Sequence, residues 1–373
     1  MKILLLGEYS NVHATLAEGL RAQGHHVTVV SDGDGWKNYP RDIDLTRCSL
    51  SRVSSMKYYV KAWRIIMQCR GYDVVQIINP MFLELKAHLI TPFYRYLRRH
   101  NKVVVMGAYG MDYYWVRTCL DCTTFRYSDF NIASQPRTEE AYNKAFIAEW
   151  MQGAKRQLNE FIANDCDAII AGLCEYYMCY TQYFPQKTHF IPMPIHAPAI
   201  GAQPQHYTPG TPLRVLIGIQ RGRSEYKGTD IMLRALLKVE ALHPDKVEVV
   251  KVESMPFFEY RRLMSRCHVI IDQLYSYTPA MNALEAMSRG VVVVGGGEPE
   301  NYDILHESEL RPIVNVQPNE EDCVNQLEAL IAHPEQITQM ALDSMEYIRR
   351  HHDHLKVARQ YAELYARLID EKH

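Results

Sequence analysis

The chain has 373 residues, a net charge of −2 at pH 7, 47% apolar residues and 23% charged residues. Because a single hydrophobic core rarely grows past roughly 250 to 300 residues, this length predicts two domains. The near-neutral net charge excludes a wholesale nucleic-acid binder. The charge is unevenly spread, since residues 1–190 carry about 22 Lys and Arg against about 18 Asp and Glu, which leaves the rest of the chain acidic.

Cysteine usage and the first residues favour a cytoplasmic protein. The nine cysteines form no framework, and the lone C-x-x-C of Cys119 and Cys122 lacks the second pair that a zinc site needs. We therefore expect reduced thiols and no metal site. The opening apolar run, residues 1–7, is too short for a secretion signal or a membrane span and is typical of a buried strand.

The first predicted elements are a strand at Ile3–Leu6, a helix to about Gln23 and a strand at Val27–Ser31. Only Gly7 stands where a dinucleotide-binding fingerprint has three glycines. A nicotinamide enzyme is therefore a weak alternative, which depends on Asp32 at the end of the second strand.

Two further predicted helices, at Ser54–Cys69 and about Leu83–His100, carry basic stripes interleaved with aromatic residues. The stripes consist of Lys57, Lys61 and Arg64 in the first helix, and of Arg95, Arg98, Arg99 and Lys102 at the second. A solvated charged face is the commoner explanation of such a pattern. Docking on an anionic membrane surface is the alternative.

Strands at Val74–Ile78 and Val103–Met106 continue the alternation, and the second delivers Asp112 to the C-terminal edge of the sheet. The alternation lapses over residues 113–164, where we predict an irregular insertion with a helix from about residue 138 to 163. A strand at Asp167–Ala171 restores it. The Pro- and Gly-rich residues 195–212 are typical of a linker, so the first domain should span residues 1–194.

The second domain, residues 213–353, is predicted to be a doubly wound α/β unit. Its predicted strands and helices alternate at Val215–Ile219, Thr229–Leu242, Val247–Val252, Phe257–Arg266, Val269–Asp272, Met281–Arg289 and Val291–Val294. A strand at Pro312–Val316 and helices at Glu320–Ala332, Glu335–Arg350 and about His354–Ile369 complete the chain.

Two loops at the C-terminal edge of this second sheet carry the predicted chemistry. The first is the turn from Arg221 to Lys227, and the second runs from Tyr275 to Ala280 into a helix that begins at Met281. An anion between them would meet two cations and the free N–H groups of the helix, which suits a diphosphate. Glu285, one turn into that helix, is expected to accept hydrogen bonds from a ribose.

These residues resemble the donor half of a GT-B glycosyltransferase, in the large retaining family that includes sucrose synthase and bacterial lipid-linked mannosyltransferases. The resemblance is carried by Arg221, Lys227-Gly228, the run Leu284–Met287 and Gly290 before a valine strand. It implies two Rossmann-like domains facing across a cleft, a last helix (354–373) that crosses back to the first domain, and a nucleotide-diphosphate sugar as donor. The chain departs from the family pattern at Tyr277, where the E-x7-E motif has its first Glu.

The resemblance also assigns candidate roles to residues. It implies catalytic roles for Arg221, Lys227 and Asp112, although Arg223 could replace Arg221 in the cation pair and Asp112 could instead cap a helix. The predicted donor-binding residues are Glu285, Arg223, Tyr277, Thr278, Ala280, Met281, Asn282 and Gly296. The predicted acceptor-binding residues are Ser10, Asn11, His13 and Tyr109, with a simple helix cap as the equal alternative for Ser10 and Asn11.

The sequence therefore predicts a sugar transferase that uses a UDP- or GDP-sugar as co-substrate and needs no cofactor. The acceptor would be a saccharide or lipid-linked, and the protein would be cytoplasmic or peripheral at the membrane. A nucleotide-sugar epimerase of the same fold is one alternative. A catalytically silent subunit that binds nucleotide sugar is the other, and Tyr277 keeps it open.

Overall fold

The computed structural model describes residues 1–49, 51–205, 207–220, 222–253, 255 and 257–372. The chain forms two compact units. The N-terminal unit comprises Met1–Thr118, Phe146–Pro194 and His354–His373, and the C-terminal unit comprises Cys119–Ala145 and Ile195–Asp353. Among the described residues, no helix is both long and apolar enough to span a membrane.

The longer strands of the described residues coincide with apolar runs of the sequence, which are rich in Val, Ile and Leu. In chain order they are β1 Lys2–Leu6, β2 His26–Ser31, β3 Ile43–Asp44, β4 Val74–Ile77, β5 Val103–Ala108, β6 Tyr127–Ser128, β7 Asn131–Ile132, β8 Gln135–Pro136, β9 Ala168–Ala171, β10 Thr188–Phe190, β11 Leu213–Ile219, β12 Val247–Glu253, β13 Val269–Ile271, β14 Val292–Gly295 and β15 Val314–Asn315.

The helices alternate with these strands. In chain order they are α1 Val12–Ala22, α2 Arg52–Ile66, α3 Ala87–His100, α4 Tyr113–Cys119, α5 Ala141–Trp150, α6 Gly153–Asp165, α7 Cys174–Thr181, α8 Ser224–Lys227, α9 Thr229–Leu242, α10 Phe257–Met264, α11 Met281–Ser288, α12 Pro299–Ile304, α13 Glu320–Ala332, α14 Ile337–Tyr347 and α15 His354–Asp370. The single helix predicted at about 138–163 is two helices, because Gly153 takes a left-handed conformation with φ 74°.

The N-terminal unit is built on a parallel seven-stranded sheet in the order β10-β9-β5-β4-β1-β2-β3. Leu16 and Leu20 of α1 and Tyr361 and Tyr365 of α15 share its core with the central strands. The last helix of the chain therefore covers the first sheet. This covering is tight, since a Cβ on Gly19 would lie 2.5 Å from the carbonyl oxygen of His354.

The C-terminal unit is built on a parallel five-stranded sheet in the order β12-β11-β13-β14-β15. Its three central strands, β11, β13 and β14, are nearly continuous apolar runs, as expected where helices cover a sheet on both faces. The register pairs Val215 with Val269 and Val269 with Val292, so β13 lies between β11 and β14. The loops after these three neighbouring strands meet at one edge of the sheet.

The stretch Cys119–Ala145, called the inserted segment below, belongs to the C-terminal unit. The domain prediction had placed it inside residues 1–194. It carries the small antiparallel sheet β6-β7-β8. The sequence could not show this grouping, because the contacts that hold the segment join residues far apart in the chain.

The basic stripes differ in part from their prediction. Arg98 forms ion pairs with Asp167 at 2.6 Å and with Asp165 at 3.2 Å. Lys102 lies beyond the end of α3 and pairs with Asp73 at 2.8 Å. Arg98 and Lys102 therefore bind acidic neighbours within the N-terminal unit, so this stripe is not a continuous solvated face.

Candidate functional site

The turn that carries Lys227 is fixed to the neighbouring loop of the C-terminal sheet. Helix α8 is a single turn that ends at Gly228, which has φ 70°. A Cβ at Gly228 would lie 2.6 Å from the Cβ of Leu274, and the Leu274 N–H donates to the Lys227 carbonyl at 3.1 Å. Only glycine permits this approach, so Lys227 is held against the loop that follows β13.

The end of β13 brings two polar groups to the same place. Asn282, in the first turn of α11, donates from Nδ2 to Oδ1 of Asp272 at 2.9 Å. Burial raises the pKa of Asp272, while the hydrogen bond from Asn282 and the positive charge of Lys227 oppose the rise. Lys227, Asp272 and Asn282 therefore form one electrostatic group.

Helix α11 begins beside this group without a side-chain cap. Its N-cap residue is Ala280, in extended conformation, and the alanine side chain has no oxygen to accept from the first N–H groups of the helix. The predicted donor residues Ala280, Met281 and Asn282 thus lie at a helix N-terminus with a lysine nearby. Such an arrangement favours an anion.

Glu285 lies on the same helix and is bound by two arginines. Arg289 donates to Oε1 from Nη2 at 2.6 Å and from Nε at 3.0 Å, and Nε of Arg261 lies 2.7 Å from the same oxygen. The side chain is 18% exposed. Both arginines contact Oε1 and so fix the orientation of the carboxylate.

The cation pair is only partly within the described residues. Arg221 lies outside them. Arg223 places its guanidinium 5.7 Å from the ring of Tyr226 and 5.6 Å from the ring of Tyr142. Among the described residues, Nε of Arg223 is buried without a hydrogen-bond partner, which is the state expected of a donor that awaits a ligand.

Tyr277 has a role that the sequence did not predict. It is 2% exposed, and its hydroxyl accepts a hydrogen bond from the backbone N–H of Arg126 at 2.6 Å. Its ring packs on Tyr127 at 4.9 Å and on Phe125 at 5.7 Å. The tyrosine at the position of the family's first Glu therefore binds the inserted segment.

Thr278 and Gly296 also serve the packing of the loops. Thr278 is 3% exposed, and its carbonyl accepts from the hydroxyl of Ser276 at 2.5 Å. A Cβ on Gly296 would lie 2.2 Å from the carbonyl oxygen of Ser276. The glycine is thus needed for contact between two loops of the protein, whereas we had expected close approach to a ligand.

The inserted segment has a second contact at the turn after β14. Arg126 binds the carboxylates of Glu298, at 2.8 Å, and of Glu300, at 3.1 Å. The hydroxyl of Tyr127 donates to Glu298 at 2.6 Å. Glu298 is 4% exposed. A buried carboxylate with an arginine and a hydroxyl as partners is a strong anchor, and it fixes the segment beside Tyr277.

A third contact reaches the turn of α8. The guanidinium of Arg137 lies 3.8 Å from the ring centroid of Tyr275 and donates to the carbonyl of Glu225 at 2.9 Å. The hydroxyl of Tyr226 donates to Asp129 at 2.6 Å. The segment therefore touches all three loops at this edge of the sheet. Spacing along the sequence contains no signal for these contacts.

In the N-terminal unit, the loop after β1 is strained. Ser10 and Asn11 both have positive φ, at 53° and 72°. Neither gives α1 a side-chain cap, since the N-cap Asn11 makes no such bond and donates instead to Thr15 at 2.9 Å. Two consecutive non-glycine residues in this conformation cost about 1–3 kcal/mol each and are typical of binding loops.

A cavity of about 340 Å³ opens beside this loop at the C-terminal edge of the first sheet. Its lining combines aromatic rings with carboxyl groups, among them Tyr9, Trp36, Asp32 and Glu84. Trp36 is 69% exposed. Burial raises the pKa of Asp32 and of Glu84. Rings that can stack and carboxyl groups that can hydrogen-bond suit a polyhydroxylated ligand.

His13 is an interior residue. It is fully buried, Nδ1 lies 2.8 Å from the carbonyl of Gly7, and Nε2 lies 3.1 Å from Nε2 of Gln76. Burial lowers its pKa to about 4. The ring is therefore neutral, with Nδ1 donating and Nε2 accepting, and both nitrogens are already used. This placement differs from the predicted acceptor contact.

Tyr109 and Asp112 are interior residues as well. The hydroxyl of Tyr109 is hydrogen-bonded to that of Tyr361. Asp112 is 1% exposed, and its carboxylate accepts hydrogen bonds from the Trp115 N–H at 2.8 Å and from the Tyr180 hydroxyl at 2.6 Å. Burial raises the pKa of Asp112 to about 6. Asp112 thus caps α4, which is the alternative that the sequence had left open.

Comparison with protein families gives one match. A family model described as "Glycosyl transferase-like" matches residues 230–363, which include α9 from its second residue, α11 and the turn after β14. No curated protein matches the chain by sequence.

Solved structures match nearly the whole chain. Sucrose-phosphate synthase from Thermosynechococcus elongatus has a TM-score of 0.64 at 15% identity, with 100% of both chains covered. HepE from Anabaena, solved in complex with UDP and glucose, has a TM-score of 0.59 at 13% identity, with 98% of this chain and 99% of that chain covered.

The catalytic domain of starch synthase IV from Arabidopsis thaliana, bound to ADP and acarbose, has a TM-score of 0.61 at 10% identity, with 99% of both chains covered. At these identities the likeness establishes the fold, which is GT-B with two Rossmann-like domains, as the sequence predicted. Together with the family match, this fold supports a glycosyltransferase.

Proposed function

We propose that this protein transfers a sugar from a nucleoside diphosphate sugar to a saccharide or lipid-linked acceptor, and that the C-terminal unit binds the donor. The observation that carries the proposal is that Lys227 is fixed by a main-chain hydrogen bond to the loop after β13, and that this loop leads into the uncapped start of α11, the helix that also carries Glu285. Lys227 and the helix end bind the diphosphate, and Glu285 binds the ribose.

Leaving-group stabilisation is the physical core of the reaction. Cleavage of the bond between sugar and phosphate builds negative charge on the diphosphate, and fixed positive groups stabilise that charge without reorganising. Lys227 supplies one such group, and Arg223 or Arg221 supplies a second. Retention of configuration fits this donor site, because a departing phosphate oxygen can take the proton of the acceptor hydroxyl as the new bond forms. Such a route uses no nucleophilic side chain and no metal ion.

The cavity beside Ser10 and Asn11 is the proposed acceptor site. Support comes from the strained loop, from the exposed ring of Trp36 and from the carboxyl groups of Asp32 and Glu84. A saccharide stacks on an aromatic ring and donates its hydroxyl protons to carboxylates. His13 and Tyr109 would support this loop and sheet edge from the interior.

A screen of donors tests the function. The protein is incubated with UDP-, GDP- and ADP-sugars, and slow donor hydrolysis and the melting temperature are measured. We expect one nucleotide to raise the melting temperature and its sugar to be hydrolysed slowly. Absence of a response to every nucleotide would contradict both the transferase and the epimerase. Nucleotide binding without turnover, with or without an acceptor panel, would support the silent subunit.

Helix α2 favours a lipid-linked acceptor. Three apolar residues on its outer face, Val53, Met56 and Val60, are 67%, 72% and 44% exposed. Lys57 and Arg64 flank them, and the helix contains no acidic residue. An apolar stripe with cations beside it is the pattern of a helix that lies in the surface of an anionic bilayer. The aromatic rings that the sequence placed there point inward, as the 4.2 Å stacking of Trp63 on Phe93 illustrates.

Co-sedimentation with phosphatidylglycerol vesicles tests this docking. The wild type should bind at low salt, and the double variant Met56→Glu with Val60→Glu should not. Phe258→Glu is the matched control, since Phe258 is 76% exposed on α10 of the other unit. Equal binding of all three proteins, or none, would contradict docking through α2.

A further inference from the structure

The inserted segment carries a carboxylate to the turn of α8. The hydroxyl of Tyr226 donates to Oδ2 of Asp129 at 2.6 Å. The backbone carbonyl of Asp129 accepts from Arg137 at 3.0 Å and from Asn143 at 2.9 Å. Tyr226 is 4% exposed. Asp129 is therefore held on both its main chain and its side chain, and its side chain is bound to the turn that carries Arg223 and Lys227.

The charges around Asp129 are those of the proposed phosphate site. Burial raises its pKa to about 6, while the charges of Arg137, Lys227 and Arg223 oppose the rise. Arg137 already binds Glu140 at 3.0 Å and the carbonyl of Glu225. Lys227 and Arg223 are the two described cations that the donor diphosphate would use, and Tyr226, which holds Asp129 by a hydrogen bond, lies between them in the same turn.

Resting on the donor site described above, we propose that Asp129 occupies the place of the donor diphosphate. The carboxylate neutralises Arg223 and Lys227 in the empty site, and the nucleotide diphosphate must displace it to bind. The inserted segment is thus part of the donor site, and Asp129 sets the affinity of that site for diphosphates.

The anchors of the segment agree with this role. Arg126 and Tyr127 of the segment both bind the carboxylate of Glu298, and the hydroxyl of Tyr277 accepts a hydrogen bond from the backbone N–H of Arg126. The partners in these contacts belong to the loops after β13 and β14 and not to α8, so the segment keeps these anchors when the Asp129 side chain leaves the cations. With competition of this kind, the apparent Kd equals the intrinsic Kd divided by the fraction of molecules in which Asp129 has left the cations.

The test is calorimetric titration of wild type, Asp129→Asn, Tyr226→Phe and Glu139→Gln with UDP and, separately, with inorganic pyrophosphate. Asp129→Asn should bind pyrophosphate about tenfold more tightly than wild type if the carboxylate holds the cations in roughly nine molecules of ten. Tyr226→Phe, which keeps the carboxylate but removes its hydrogen bond, should show a smaller gain. Glu139→Gln should behave as wild type, because the Glu139 side chain is 88% exposed in the same segment and its described contacts are to Lys144 and to the neighbouring Thr138.

A merely structural Asp129 would give no gain in affinity. Equal or weaker pyrophosphate binding by Asp129→Asn and Tyr226→Phe would overturn the proposal. If Asp129→Asn does not fold, as circular dichroism would show, Tyr226→Phe decides alone. A wild type that binds UDP while neither variant binds more tightly overturns this inference and leaves the proposed function intact. Tighter pyrophosphate binding by Asp129→Asn, with no nucleotide bound by any variant, would uphold the competition between Asp129 and a diphosphate but would contradict the proposed function, because the site would then take no nucleotide donor.

Discussion

Lys227 combines three properties that a leaving-group cation needs. Its main chain is fixed by the hydrogen bond from Leu274, its charge is felt at Asp272, and the uncapped start of α11 follows the same loop. A preorganised charge stabilises a developing anion far better than a mobile one. The proposed chemistry therefore depends on this residue more than on any other described side chain of the turn.

Lys227→Ala should lower kcat with a smaller effect on KM. Removal of one preorganised group that stabilises transition-state charge costs roughly 100- to 1000-fold in kcat. Steady-state kinetics with the donor found in the screen measures this. Lys238→Ala, on the exposed side of α9, is the control and should retain wild-type kcat. A loss in Lys227→Ala no greater than in Lys238→Ala would rule out the role of Lys227.

Glu285→Ala should weaken nucleotide binding by about 10- to 100-fold, because a hydrogen bond to a charged group contributes roughly 1.5–3 kcal/mol. The loss of affinity should arise from the hydroxyl groups of the ribose. Wild type should prefer UDP over 2′,3′-dideoxy-UDP, and the variant should bind the two nucleotides equally in calorimetry. Glu321→Ala, at an exposed position on α13, is the control. If the variant still distinguishes the two nucleotides, Glu285 does not bind the ribose.

Glu8 predicts a pH dependence of stability. It is 2% exposed, and burial raises its pKa to about 8, against hydrogen bonds from the N–H groups of Ala14 and His13. Since the folded chain keeps a proton that the unfolded chain releases at lower pH, stability falls as pH rises toward 8. Burial lowers the pKa of His13 to about 4, so its ring is neutral in the folded chain at these pH values. Above its ordinary pKa of about 6.5 the ring is mostly neutral in the unfolded chain as well, so His13 adds little to the pH dependence in this range.

Chemical denaturation between about pH 6.5 and 8 measures this effect. The unfolding free energy of wild type should fall with a slope approaching about 1.4 kcal/mol per pH unit. Glu8→Gln should have a much flatter profile, whose remaining slope near pH 6.5 comes from Asp112 and Asp129, since burial raises the pKa of both to about 6. A wild-type slope near zero, or equal slopes in both proteins, would show that Glu8 is ionised in the folded chain.

Among elements, the inserted segment is the clearest case of a contact that joins distant parts of the sequence. Arg126 and Tyr277 are 151 residues apart, yet the hydrogen bond between them explains a residue that departs from the family pattern. The alternation of apolar runs predicted β11, α9 and β13 because each forms from local periodicity. An irregular segment has no local sequence pattern that predicts which of two domains it packs against.

Tyr277→Phe should loosen the inserted segment. The change removes the hydroxyl that accepts from the Arg126 N–H, which costs about 1 kcal/mol. Hydrogen exchange followed by mass spectrometry should then show faster exchange over residues 119–145. Tyr96→Phe is the control, because it removes a tyrosine hydrogen bond, to the carbonyl of Met67, in the other unit. Unchanged exchange in Tyr277→Phe would mean that Tyr277 does not anchor the segment.

For the whole molecule, the sequence predicted the architecture better than the buried side chains. The resemblance and the αβ alternation both indicated two Rossmann-like domains, which the solved structures confirm. The edge of a parallel sheet follows from topology, so the sequence could place Lys227 and Met281 close together. Whether a polar residue near such an edge faces solvent depends on packing, and for this reason His13 and Tyr109 were assigned to a ligand although both are buried.

The central claim is that the C-terminal unit binds a nucleoside diphosphate at the edge formed by Lys227 and the start of α11. A crystal structure of the protein with UDP tests it most directly. The account predicts that oxygens of the diphosphate lie within hydrogen-bonding distance of Lys227 Nζ and of the first N–H groups of α11, with the ribose at Glu285. UDP bound instead in the cavity beside Tyr9 and Trp36, or with its phosphates away from Lys227, would contradict the account.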